Sequence, residues 1–181
     1  MSPEHHHAHG PANRGRVVLT TAAPLFVCEP SAGTPRAAVI ALHGRHGITA
    51  AFERGMRAVA VHGYLVAAPF HYFRDGGPEY VTPSSARDAY AALSDEDVDA
   101  DVDAALDHVR GRLGIPVAAV LGPDFVAPAV KRAGERHPDL VAVTLPETDS
   151  DTDLATGDAS PAAWLAAVDH LGCVTTWRTH V

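Results

Sequence analysis

The run Val117-Ala-Ala-Val-Leu-Gly-Pro-Asp-Phe-Val126 decides how this chain is read. Its first five residues are apolar without a break, as in a strand covered on both faces of a parallel sheet. The strand stops at Gly122 and a helical pattern starts near Asp124, so strand turns directly into helix. In open α/β sheets, ligands bind beyond the carboxyl ends of the strands. Asp124 therefore stands where such a sheet carries its chemistry. Three readings are open for it: a helix N-cap, an acid–base or electrostatic group, and a carboxylate nucleophile.

Upstream, Ala37-Ala-Val-Ile-Ala-Leu42 is a second continuous apolar run, followed by His43-Gly-Arg-His-Gly47. A helix is expected next, with Phe52, Met56, Val59 and Ala60 on one face and Gly63 as its stop. Tyr64-Leu-Val-Ala-Ala-Pro69 is a third buried strand, running into Phe70-His-Tyr-Phe-Arg-Asp-Gly-Gly77. Two short strands over residues 16–21 and 24–28 precede these, and residues 84–92 form a short helix. Ser94 caps the next helix with an acid at N3, and Val98, Val102, Leu106, Val109 and Leu113 mark its apolar face. Asp95, Asp99, Asp101, Asp103 and Asp107 are assigned to its solvated surface.

Downstream, a helix over 124–137 leads to a strand at 140–145 and a loop over 146–160. A last helix carries Trp164, Leu165, Val168 and Leu171 on one face, and a final strand spans 173–177. Strands alternating with helices predict the α/β class: a single doubly wound, mostly parallel sheet with right-handed crossovers. Residues 1–14, with His5, His6, His7 and His9, read as a disordered His-rich arm, and residues 15–181 as one domain.

The net charge of −8 and the lack of a clustered basic face oppose a nucleic-acid partner. No apolar run approaches the roughly 20 residues of a membrane span, and no apolar signal segment opens the chain. Cys28 and Cys173 are too few for a disulfide framework and sit in apolar runs, so structural thiols and a cytoplasmic setting are expected. The expected partner is a small-molecule substrate; a homodimer is compatible with the sequence.

In order and spacing, Ala41-Leu-His-Gly-Arg-His-Gly47, Gly63-Tyr-Leu-Val-Ala-Ala-Pro69, Tyr72-Phe-Arg-Asp-Gly76, Ala104-Ala-Leu-Asp-His-Val109 and Ala119-Val-Leu-Gly122 belong together. The set resembles the dienelactone hydrolase family of the α/β-hydrolase fold, best between residues 36 and 145. The resemblance implies an acyl-transfer site with a Cys or Ser in a Gly-x-Ser/Cys-x-Gly elbow, a His base and an Asp orienter. Carried over, Asp124 stands at the nucleophile, residues 43–47 at the oxyanion loop and Arg74 at the carboxylate-binding position. Gly44 replaces an acid of the founding enzymes. Asp158 and His180 are the candidates for triad acid and base. The elbow departs from the pattern: its nucleophile is an acid, and Val126 replaces the second glycine, obstructing the close helix–strand contact.

Independently of a triad, neighbouring strands would gather His43, His46 and His71 around Asp124 as a proton-transfer cluster. No cofactor is expected; Zn²⁺ on those four residues is the alternative, and backbone-bonded loop histidines the plainer reading. Phe70, Tyr72 and Phe73 line a pocket or simply pack. Gly44, Arg45, Tyr72, Arg74 and Phe125 are the candidate substrate contacts. The expected function is therefore a dienelactone-hydrolase-like enzyme acting on a small cyclic or unsaturated, optionally carboxylated substrate. Acid–base chemistry by Asp124 with His43, His46 or His71 would replace the Ser/Cys acyl-enzyme. The alternatives are a non-catalytic relative that binds a ligand or partner, and an Asp-nucleophile hydrolase of the epoxide or haloalkane type.

Overall fold

The computed structural model describes residues 15–74, 83–146 and 161–178. These form a six-stranded sheet: β1 (Arg16–Val18), β2 (Leu25–Cys28), β3 (Ala37–Ala41), β4 (Tyr64–Pro69), β5 (Val117–Pro123) and β6 (Val141–Leu145). The order across it is β1-β2-β4-β3-β5-β6. The four apolar strands β3 to β6 pair in parallel, and β1 and β2 add an antiparallel edge. The α/β class is as expected, and the antiparallel edge has a consequence for the site. Running against β4, β2 pairs Leu25 with Pro69, which brings its start beside the carboxyl end of β4.

The pleat sorts each strand between two cores. Val39 and Ala41 face one side, with Tyr64, Val66, Ala119 and Leu121. Helices α1 (Ala50–Val61) and α5 (Pro161–Arg178) cover that side. Ala38, Ile40 and Leu42 face the other, under α3 (Asp95–Leu106) and α4 (Ala127–Arg136). A short α2 (Pro83–Ala92) precedes α3, which runs on into a π-helical turn over Asp107–Arg112. Capping follows the sequence where it was read: Ser94 Oγ accepts the Asp97 N–H at 3.0 Å. Gly63, with φ +87°, takes up the left-handed position past α1 that a side chain would strain.

The C-terminal part corrects the expectation. Residues 173–177 continue α5 and do not form a strand. Nothing between Leu171 and Trp177 stops a helix: one glycine costs only about 1 kcal/mol, and a short β-branched run is a weak, context-dependent preference. Leu165 is 43% exposed, and Ala163, Trp164, Ala167, Val168 and Leu171 make the buried face. Trp164 docks edge-on to Phe52 at 5.4 Å, with its indole where a Cβ on Gly55 would lie. The expected arm, the shortened loop and the two triad candidates Asp158 and His180 lie outside the described residues. No described helix is long and apolar enough to cross a membrane. Cys28 is a buried free thiol, pushed up to about 11 by burial, in line with a structural role.

Candidate active site

At the carboxyl edge of the sheet, the loops after β3 and β4 lie side by side because those strands are parallel neighbours. His43 follows β3, and His71 opens a 3-10 turn (His71–Arg74) after β4. Both rings are buried, 4.9 Å apart between centroids, and Tyr72 lies equally close to His43. His43 and His71 are thus neighbours. Their chemistry is divided unequally.

His43 Nε2 accepts the His71 backbone N–H at 3.2 Å, so this nitrogen carries no proton. The proton sits on Nδ1 and is donated to the Gly44 carbonyl at 2.9 Å. Burial, with His71 alongside, pushes His43 down to about 3. Both ring nitrogens of His43 are thus already engaged, which leaves neither open to a substrate in this arrangement.

His71 is wired differently. Its Nδ1 lies 3.0 Å from Asp101 Oδ2. The carboxylate can only accept there, so Nδ1 carries the proton. Nε2 is buried and without a hydrogen-bond partner among the described residues, and in the neutral ring it is the nitrogen that carries the lone pair. A base held by an acid through its far nitrogen is the orienting half of a catalytic triad.

Asp101 was assigned to a solvated face; it is instead 0% exposed. Three groups converge on it: His71, the Ala23 N–H at 3.0 Å and the Arg74 guanidinium at 3.3 Å. The antiparallel entry of β2 is what places Ala23 there. The sequence carried a signal for this residue. Val98, Asp101, Val102, Ala105 and Val109 recur at helical spacing, and Asp99, Asp103 and Asp107 fall on the opposite side, whereas Asp95, in the first turn, does not.

The remaining candidates are placed as follows. Arg74 spends its charge on Asp101 and, at 3.8 Å, on Asp97, and stacks on Phe73; it is not a free anion anchor. Tyr72 is 0% exposed and donates its hydroxyl to the Arg45 carbonyl at 2.8 Å, pinning the two loops together. The Arg45 guanidinium lies over Phe125 at 4.7 Å, and Tyr90 packs on Phe125 at 4.2 Å. His46 is buried in the same loop as Arg45.

Asp124 stands apart. It is exposed, and although its backbone carbonyl accepts the Ala127 N–H, no described residue hydrogen-bonds or ion-pairs with its side chain. It caps no helix: the N-cap positions of its 3-10 turn (Asp124–Val126) and of α4 are Pro123 and Val126. A nucleophile elbow is a strained turn, and no described non-glycine residue has a positive φ. Val126 does not obstruct the turn as expected, because its Cγ2 fills the space where a Cβ on Gly122 would lie, 2.6 Å away. Among the described residues no three His, Cys, Asp or Glu side chains group to hold a metal ion.

A small cavity of about 30 Å³ adjoins the pair, lined among others by His43, His71, Tyr90, Asp95, Val126 and Arg132. It reaches from the end of β4 to the first turn of α4.

Neither a protein-family model nor a curated protein matches the chain. Solved structures do match. A Klebsiella pneumoniae protein assigned as a dienelactone hydrolase superimposes with a TM-score of 0.58 at 21% identity, over 82% of this chain and 67% of its own. A cold-adapted esterase from an Arctic intertidal metagenomic library gives 0.57 at 16% identity, over 73% of this chain and 58% of its own. The protein m3DLH gives 0.59 at 15% identity, over 74% and 58%. The fold is that of the α/β-hydrolases, and the chain spans little more than half the length of the last two.

Proposed function

We propose that this is an α/β-hydrolase-fold enzyme acting on a small cyclic or unsaturated substrate, such as a lactone, by acid–base chemistry. His71 is the base and Asp101 its orienter, in place of a Ser/Cys acyl-enzyme. The observation that carries the reading is the 3.0 Å His71–Asp101 contact with Nε2 left buried and unpartnered. Burying a carboxylate and an imidazole costs several kcal/mol per charged group, which a structural loop does not require. The shared fold with a dienelactone hydrolase and an esterase supports hydrolysis as the reaction class.

The test is a panel of small lactones and p-nitrophenyl acetate, with wild type and His71→Gln compared. Loss of a positioned base lowers kcat by about 10²- to 10⁴-fold with KM little changed. A folded His71→Gln protein turning over at the wild-type rate would sink the reading. A second reading, a non-catalytic relative that binds a small ligand, is favoured by the relaxed, unpartnered Asp124. It predicts no turnover across the panel and ligand binding indifferent to His71→Gln.

A further inference from the structure

Resting on that reading, we infer that the cavity beside His71 holds a water molecule, and that this water is the nucleophile His71 activates. Size decides between water and substrate as the occupant. About 30 Å³ exceeds the roughly 10–15 Å³ that one water requires and falls far short of the hundreds of Å³ of a ligand pocket. Polarity agrees. His71 is 2% exposed, its Nε2 has no partner among the described residues, and the polar residues Tyr90, Asp95 and Arg132 are among those lining the cavity. Asp95 and Arg132 are ion-paired at 2.9 Å at its outer side. An unpartnered buried nitrogen beside a water-sized polar void is filled by water in most proteins.

Among the described residues no serine, threonine or cysteine lines the cavity, in keeping with water and not a side chain as the attacking group. In the step proposed, the water oxygen bonds to the carbonyl carbon of a lactone or ester while its proton passes to His71 Nε2. The carbonyl electron pair moves to oxygen. Collapse of the adduct breaks the bond to the alkoxide, which takes the proton back from Nε2. A lactone and one water yield one hydroxy acid, with no oxidant or reductant and no covalent enzyme intermediate.

The full-length protein tests this in three ways. A high-resolution crystal structure should show an ordered water about 2.7–3.0 Å from His71 Nε2; an empty or side-chain-filled cavity overturns the site. With p-nitrophenyl acetate in excess over enzyme, nitrophenol should be released without a burst stoichiometric with enzyme and without an acetylated protein by intact mass. A burst with an acetyl adduct overturns the water as nucleophile and leaves His71 standing as a base. Full activity of His71→Gln overturns the base itself. Ala129→Leu, which fills the cavity from α4, should lower kcat by at least about tenfold with KM within about twofold. Unchanged kcat in that variant overturns the role of the water. Should the variant not fold, the burst experiment decides alone.

Discussion

Two loops at the same sheet edge, one after β4 and one after β5, each carry an ionisable side chain and leave it in opposite conditions. The β4 loop holds His71, sealed from solvent and tied through Asp101 to Ala23 and Arg74. The β5 loop holds Asp124, exposed and with its side chain tied to nothing among the described residues. By chain position Asp124 inherits the nucleophile's place; by wiring His71 is the group prepared for chemistry. A place in a fold is inherited with the backbone, whereas a reactive group has to be desolvated, oriented and left one free valence. The two need not coincide.

The contrast can be broken by experiment, beginning with the largest effect. Asp101→Ala strands the Ala23 N–H and the His71 Nδ1–H in a dry interior, and should cost about 3–5 kcal/mol of unfolding free energy in urea titrations. A loss below about 1 kcal/mol would place Asp101 on the solvated face after all.

The second test is pH. His43 is neutral when folded down to about 3, and the unfolded chain takes up its proton near 6.5. Because the unfolded state binds the extra proton, stability is present above about 6.5 and is lost as pH falls toward about 3, by an amount on the order of 2–4 kcal/mol. Urea midpoints followed through that window should fall in wild type and flatten in His43→Gln.

Gly122→Ala comes third. Its Cβ would lie 2.6 Å from Val126 Cγ2 and 3.1 Å from the Leu42 carbonyl oxygen, an overpacking expected to cost about 1–3 kcal/mol. Adding Val126→Ala should return part of that cost, and strictly additive losses would mean the two residues do not share the space. The smallest effect belongs to Asp124→Ala, which should stay within about 0.5 kcal/mol of wild type. Turnover of Asp124→Ala at the wild-type rate would sharpen the contrast, and a drop as large as that of His71→Gln would reverse it.

Most of the scaffold was legible because buried strands and amphipathic helices write their periodicity directly. The runs before His43, before Phe70 and before Gly122 all became parallel strands, and Ser94 and Gly63 bounded their helices as read. The antiparallel edge was not legible, since an alternating pair of short strands carries no mark of its direction. The 173–177 segment misled because local β preference is decided by a strand partner that the sequence does not show. Of the site, His71 was legible as a loop histidine beside His43. Asp101 was hidden among neighbouring aspartates; helical phase separates it from Asp99, Asp103 and Asp107 but not from Asp95. Which nitrogen of each imidazole is engaged depends on contacts spanning about thirty residues or more, and composition is silent on that.

The bond from Ala23 to Asp101 spans 78 residues and joins the sheet's antiparallel margin to the middle of α3. Docking of the first hairpin therefore completes the shell around Asp101, and the proposed base would feel that hairpin's local opening equilibrium. Amide exchange at Ala23 and the tautomer of His71 should rise and fall together as denaturant is raised below the global transition. Fraying of the N-terminal margin would then act as a thermodynamic brake on a reaction centre that none of its strand residues touches.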